Sequence, residues 1–222
     1  MERREFTAAL AGLTLAPQAW SAGTEGEAVS GIRVALERGA MAAVAQLGKT
    51  DGFLGNPQVR IALPHHLNDA AKILRALGQG RKVDDLVTAM NRAAEAAIPE
   101  AKTLFVSTVK AISVEDAWKV VRGGATSVTD FFAAKTRLPL GEKFLPIVTR
   151  STEKVELAQR YNAVASKAAG LGLVKGDEAN VQKYVTGRAL DGLYFMVAEE
   201  EKKIRADPIA TGSAILRKVF GG

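Results

Sequence analysis

The sequence predicts an all-α fold: a single-domain bundle of about nine or ten helices, with one short β-hairpin or ordered loop near residues 49–64. Three observations predict it. Apolar residues recur at three- and four-residue spacing along most of the chain after residue 24. Capping residues and Gly or Pro stops punctuate that pattern at short intervals. No Ser/Pro-rich linker, low-complexity tract or fixed-period repeat divides it. The length of 222 residues suffices for a self-standing core, and 47% hydrophobic with 24% charged residues is globular composition.

Residues 1–21 read as a signal peptide rather than as part of the fold. Arg3 and Arg4 give a basic start, and an apolar stretch runs from Phe6 to Leu15. Pro17 breaks that stretch, and Ala19-Trp20-Ser21 places small residues at −3 and −1 of a cleavage site after Ser21. The order Arg3-Arg4-Glu5-Phe6 is also similar to a twin-arginine export pattern, so two export routes stay open. The stretch is shorter than the ~20 residues a membrane span needs. Cleavage removes two Glu and two Arg, so the remaining single helical domain, 22–222, keeps the net charge of +6. A soluble periplasmic protein is expected.

Thr24 with Glu27 forms a capping-box pattern. The helix it opens carries Val29, Ile32, Ala35, Leu36, Met41, Val44 and Leu47 and stops at Gly48. Lys49 to Pro64 has turn formers (Gly52, Gly55, Asn56, Pro57) followed by an alternating stretch, Gln58 to Leu63. Leu67, Ala70, Ile73, Leu74 and Leu77 then form a helical stripe ended by Gly78 and Gly80. Val83, Leu86, Val87, Met90, Ala93, Ala94 and Ala97 form the next, and Pro99 suits the first turn of another. Ser113 caps a short helix with Asp116 at its third position, and Gly123-Gly124 ends it. Thr126 or Ser127 caps a helix with Phe131 and Phe132; Leu138 to Glu156 is a further helix with Pro146 as a break or kink. Leu157–Ala169 follows, then a loop to Asn180. A long helix from Val181 to Ala206 carries Glu199–Lys203 and Glu201–Arg205 as i,i+4 pairs on its outer side. Ile209 to Phe220 is a terminal helix.

Several chemistries lose their material. With no Cys there is no disulfide, zinc ribbon, iron–sulfur cluster, thiol nucleophile or lipid-modified N-terminal Cys. Gly48-Lys49-Thr50 resembles the end of a phosphate-binding loop, but Ala43 stands where that motif needs Gly, and a helix precedes it instead of a strand. Gly78-Gln79-Gly80 fails as a dinucleotide fingerprint for the same reason. His65 and Asp69 could share a helical face, but a metal site needs three or four ligands, so no metal and no cofactor are expected. No GxSxG elbow exists for Ser chemistry. Carboxylate pairs such as Glu95 with Glu100, or Glu199 with Glu200, keep an enzyme of unrecognised type open. Basic residues are interspersed with acids and aromatics are 6%, so nucleic acid is not an expected partner.

Two segments are the candidate sites. Asn91, Arg92 and Glu95 sit at i,i+3 and i,i+4 spacing on an Ala-rich helix. They are either a polar anchor inside a ligand cavity or an interhelical network that fixes register. Asp51, Phe53, Leu54 and Asn56 belong to a turn-rich loop that is either a contact surface or tucked onto the helical core.

The blocks Leu47–Pro57 with Val59-Arg60-Ile61, Met90–Glu95, Phe144–Val148, Tyr184-Val185-Thr186 with Ala189–Leu193, and Ala198–Arg205 with Leu216–Gly221 closely resemble a bacterial family catalogued as domain of unknown function 4197. The resemblance covers nearly all of the chain after residue 21. It implies an exported, mostly helical, single-domain protein of the Gram-negative envelope, often with a lipoprotein signal. This chain departs there, since it has no Cys to acylate. The family supplies no catalytic residues to carry over. The expectation is a non-enzymatic interaction or structural module of the envelope, with an envelope protein as partner and a homo-oligomer as one form of it. The alternatives are a periplasmic carrier for a hydrophobic, lipid- or sterol-like ligand, and an enzyme using carboxylates.

Overall fold

A computed structural model describes residues 22–170 and 180–207. The expected signal peptide, residues 171–179 of the expected loop before Asn180 and the expected terminal helix lie outside the described residues. Within them the chain is helical: α1 (Ala22–Leu47), α2 (Asn68–Ala76), α3 (Gly80–Ala97), α4 (Ala101–Lys110), α5 (Val114–Arg122), α6 (Ser127–Thr152), α7 (Glu156–Gly170) and α8 (Val181–Ala206). Short 3-10 turns at His65–Leu67 and Ile98–Glu100 lead into α2 and α4. In α1, Val29, Ile32, Leu36, Val44 and Leu47 are buried as their spacing predicts, and Ala40 and Ala43 join them. The backbone is already helical at Ala22, two residues before Thr24.

The core sits between α6 and α8, closed by α3 on one side and by α1 and α4 on the other. Its centre is aromatic. Phe105 of α4 and Phe132 of α6 lie 4.8 Å apart between ring centroids, and Tyr194 of α8 is 6.3 Å from Phe105. Such tilted rings add about 0.5–1.5 kcal/mol each beyond the area they bury. The Tyr194 hydroxyl keeps a partner there, 2.8 Å from Thr136 Oγ1.

Three expectations about the elements themselves are corrected. The first is the helix count of nine or ten. Phe131–Phe132 and Leu138–Glu156 belong to one helix, α6, which runs through Pro139 and Pro146 without ending. An interior Pro costs about 3 kcal/mol. Here Phe132, Leu140, Phe144 and Val148, all fully buried, hold the helix on the core on both sides of each Pro. The second is the β-hairpin: no strand occurs among the described residues, and 49–64 is a chain of turns running into an irregular segment. The third is α2. Its stripe should face a core, yet no α2 residue is buried, and Ile73 and Leu77 are 61% and 68% exposed. The helix rests mainly on α3 and the turn before it.

The ends follow local chemistry. Ser113 Oγ accepts from Asp116 N–H at 3.0 Å, as predicted. Gly78 takes φ +76 to close α2, a conformation that suits Gly. The expected Thr126 or Ser127 cap of α6 does not form. A residue from α8 takes that role instead. Glu201 Oε1 accepts from Val128 N–H at 3.1 Å, and Oε2 accepts from Thr129 N–H and Thr129 Oγ1–H, each at 3.0 Å. Arg205 donates to Glu201 Oε1 through Nη2 at 2.8 Å. It also donates to the carbonyls of Val120 and Val121 at the end of α5, each at 3.1 Å. One ion pair of α8 therefore closes α5 and opens α6. Glu201 is 3% exposed, so the expected outward Glu201–Arg205 pair is an inward one. Glu199 pairs with Lys202, and Lys203 with Glu200.

Candidate functional site

The two candidate segments meet. On α3, Val87, Asn91 and Glu95 follow at i,i+4 and share one face. That face lies under the 48–64 loop, and the flanking Ala93, Ala94 and Ala97, all fully buried, allow close approach.

Asn91 is 0% exposed. Its Oδ1 accepts from Ile61 N–H at 2.8 Å, and its Nδ2 donates to Ile61 O at 2.9 Å and to Val87 O at 2.8 Å. The amide side chain thus gives Ile61 the donor and acceptor that a neighbouring strand would have supplied. This is why the 58–63 stretch, which alternates like a strand, needs no strand partner. On the other side, Tyr184 of α8 donates its hydroxyl to Ala62 O at 3.0 Å.

Glu95 is 4% exposed. Its Oε1 accepts from the N–H groups of Phe53 and Leu54, both at 3.0 Å. Its Oε2 is 2.7 Å from Arg92 Nη1, and Arg92 Nη2 reaches Asp51 Oδ1 at 2.8 Å. The bond from Glu95, then that from Asp51, holds the Arg92 guanidinium above its ordinary pKa. The carboxylate has charge-assisted bonds on both oxygens.

The loop's own geometry fits this anchor. Asp51 takes φ +64, a left-handed conformation that Asp tolerates better than bulkier residues. A Cβ on Gly52 would come within 2.4 Å of Leu47 O, so only Gly fits. Phe53 is 0% exposed, with its ring against α8. A Cβ on Gly192 would meet Phe53 Cε1 at 2.7 Å, so the small residue on α8 makes room for that ring. Leu54 is half-buried. Asn56 organises the next turn: its backbone O accepts from Val59 N–H and Arg60 N–H, and its Oδ1 accepts from Gln58 N–H at 3.1 Å. The loop does not present Phe53 to solvent.

Fixing the loop in this way creates a second feature. The outer side of residues 58–65 and the near side of α8 enclose an open cleft of about 540 Å³. Arg60, His65, Tyr184, Arg188, Asp191 and Phe195 line it, together with Asn68 and Gln58. The guanidinium of Arg188 lies 5.4 Å from the Tyr184 ring centroid, a cation–π arrangement. Asp191 is bound from outside the cleft by Arg137 Nη2 at 2.5 Å. The sequence pointed to the anchor residues, but not to this cleft, whose walls lie over 120 residues apart. Spacing marks Tyr184 as an inner position of the Val181–Ala206 helix, and the family resemblance includes it together with Arg60 and Asp191, but neither says that a cleft lies there.

Elsewhere the material for catalysis or metal binding is dispersed. Among the described residues no group of three His, Asp or Glu converges. Asp69 pairs with Lys72 at 2.9 Å. No described helix is long and apolar enough to cross a membrane. An apolar cavity between α1, α5, α6 and α8, lined by Ile32, Leu36, Val128 and Val197, holds about 20 Å³. That is room for about one water, not for a lipid chain.

Residues 22–221 match the model of the family described as protein of unknown function (DUF4197), and the chain belongs to that family. No curated protein and no solved structure matches it.

Proposed function

We propose that this member of the DUF4197 family works by binding rather than by turnover: an exported, non-enzymatic module of the cell envelope whose contact site is the cleft between residues 58–65 and α8. One observation carries the reading. The buried polar side chains that could have served chemistry, Asn91 and Glu95, are occupied by the backbone of the loop, with Val87 O and Arg92 taking the rest of their bonds. What they accomplish is a loop fixed in place, one side of it packed on the core and the other forming the wall of a cleft. Preorganising a surface in this way lowers the entropy cost of binding to it. A volume of about 540 Å³ lies in the range of ~300–1,000 Å³ that ligand sites occupy.

Export rests on the N-terminal pattern. It is supported by the family match, which begins at residue 22, the position after the expected cleavage site. The apolar cavity between α1, α5, α6 and α8 lends the carrier alternative no support, since about 20 Å³ is too small for a lipid or sterol.

The test places a photo-crosslinking residue at Gln58 or Phe195 in cells, with Lys102 on α4 as the control. Adducts specific to Gln58 and Phe195 are expected. Equal adducts at Lys102, or none at the cleft positions, would remove the cleft as the contact site. Fractionation with N-terminal sequencing checks export, with Ala22 as the expected first residue.

A further inference from the structure

We infer that the cleft takes a short extended peptide segment of another protein, paired main chain to main chain with the outer edge of residues 60–62. This rests on the cleft being the contact site and goes on to name the chemistry of what enters it.

The backbone of this stretch has two edges, and Asn91 serves one of them. In an extended chain the N–H and C=O of one residue point to the same side, and those of the next residue to the opposite side. Ile61 has that geometry: its N–H and its C=O are both bonded to the Asn91 side chain on α3. The N–H and C=O of Ala62, and the C=O of Arg60, therefore face away from α3. The Ala62 carbonyl does so, accepting from the Tyr184 hydroxyl on α8 at 3.0 Å. Side chains follow the same alternation, with Val59 and Ile61 buried and Arg60 and Ala62 exposed.

This second edge is left open. Among the described residues the Ala62 N–H donates to no group and the Arg60 carbonyl accepts from none. The Arg60 N–H is already used, by Asn56 O at 2.9 Å. The Ala62 carbonyl has a second lone pair beyond its bond to Tyr184. Together the three groups present acceptor, donor and acceptor in one row, the pattern by which an edge takes up a neighbouring strand. The row is short, since a turn precedes Arg60 and Pro64 brings no N–H.

The surroundings select the occupant. Ile61 is held by the fully buried Asn91, so the open groups are fixed before anything binds, which lowers the entropy cost of pairing with them. Residues 58–63 form one wall of the cleft and α8 the other, so what enters is a single extended segment. The same edge in a second copy stands behind its own α8, which opposes pairing between copies. Phe195 lines the cleft and is 37% exposed. It offers an apolar surface to one face of the segment, where every second side chain falls.

The isotope-labelled mature chain is titrated with a capped heptapeptide that alternates Thr with Val and carries Phe at its centre. The Ala62 amide resonance is expected to move downfield and its hydrogen exchange to slow about tenfold or more at saturation. Amides of α4 are expected to stay unchanged. The same peptide N-methylated at its central residues keeps its side chains but loses main-chain donors, and binds about tenfold or more weakly. Ala62→Pro removes the donor in a backbone that is already extended, and weakens the unmethylated peptide as much, whereas Ala62→Ser leaves it unchanged. The Ala62 amide of the parent chain is a readout independent of how the variants fold. An Ala62 amide unmoved at millimolar peptide, equal binding of the N-methylated peptide, or affinity unchanged in Ala62→Pro overturns the inference. So does Ala62 protection that grows with protein concentration alone, since the partner would then be a second copy. Crosslinking at Gln58 and Phe195 that persists without peptide pairing overturns this inference alone and leaves the contact site standing. Loss of both overturns both.

Discussion

Glu95→Ala removes the group on which the loop hangs. The carboxylate accepts two backbone N–H groups at 3.0 Å and a guanidinium at 2.7 Å, and is 4% exposed. Hydrogen bonds to a charged group contribute about 1.5–3 kcal/mol each. The Phe53 N–H is buried and would be left without its acceptor, while Leu54 and the half-exposed Arg92 recover part of their loss in water. Arg92 also keeps Asp51. Counting the Phe53 bond in full and the others in part gives a destabilisation of about 3–4 kcal/mol. For a chain of this size that is a fall in melting temperature of about 6–16 °C. The assay is urea unfolding by circular dichroism, combined with hydrogen exchange. The Phe53 and Leu54 amides should lose their protection more than amides in the centre of α6. Glu95→Gln, which retains one acceptor oxygen but faces Arg92 with an amide, should fall between. A loss below about 0.5 kcal/mol, the scale of an ordinary surface change, would refute the reasoning. So would Phe53 and Leu54 amides as protected as in the parent chain.

Other expectations follow from the same geometry. Gly192→Ala puts a Cβ 2.7 Å from Phe53 Cε1 and should cost about 1–3 kcal/mol in thermal unfolding; Gly187→Ala, where no atom lies within 4 Å of the added Cβ, serves as the control. Glu201→Ala strips the N–H groups of Val128 and Thr129 of their acceptor and takes one carboxylate partner from the largely buried Arg205, a loss of about 3–5 kcal/mol. Arg205→Ala in that background should cost less than in the parent, which a double-mutant cycle measures. Burial raises the pKa of Tyr194, against the opposing effects of its bond to Thr136 and of Arg137. Its folded pKa lies above the unfolded value of about 10, so its contribution is complete below that pH and is lost as pH rises through the folded value. Melting temperatures should therefore fall more steeply above pH ~10 in the parent than in Tyr194→Phe; parallel curves would count against it.

Residues 58–63 show how far local pattern reaches. The alternation Gln58-Val59-Arg60-Ile61-Ala62-Leu63 is that of a strand, and Val59 and Ile61 do point inward. A strand also needs a partner, and the partner here is one Asn side chain on α3 and one Tyr hydroxyl on α8. Neither pairing leaves a trace in spacing. The same holds for Glu201, which local spacing pairs with Arg205 in water. The pair does form, but under the N-terminus of a helix more than 70 residues away. In α6 the two prolines argue locally for a break, and the packing of Phe132, Leu140, Phe144 and Val148 overrides them.

By itself the sequence determined what depends on neighbours along the chain. It showed which residues share one face at helical spacing, where Ser113 caps and where Gly48 and Gly78 stop. It also showed that Asn91, Arg92 and Glu95 form one polar set, and that Cys chemistry is absent. Tertiary structure alone decided what that polar set holds, that Phe53 is buried because Gly192 leaves room for it, and that α2 finds no core. It alone set Arg60 and Arg188 in one cleft. The physical reason is range. Helix periodicity and capping are written within a few residues, whereas a buried carboxylate takes whichever N–H groups the packing of distant helices brings within 3 Å.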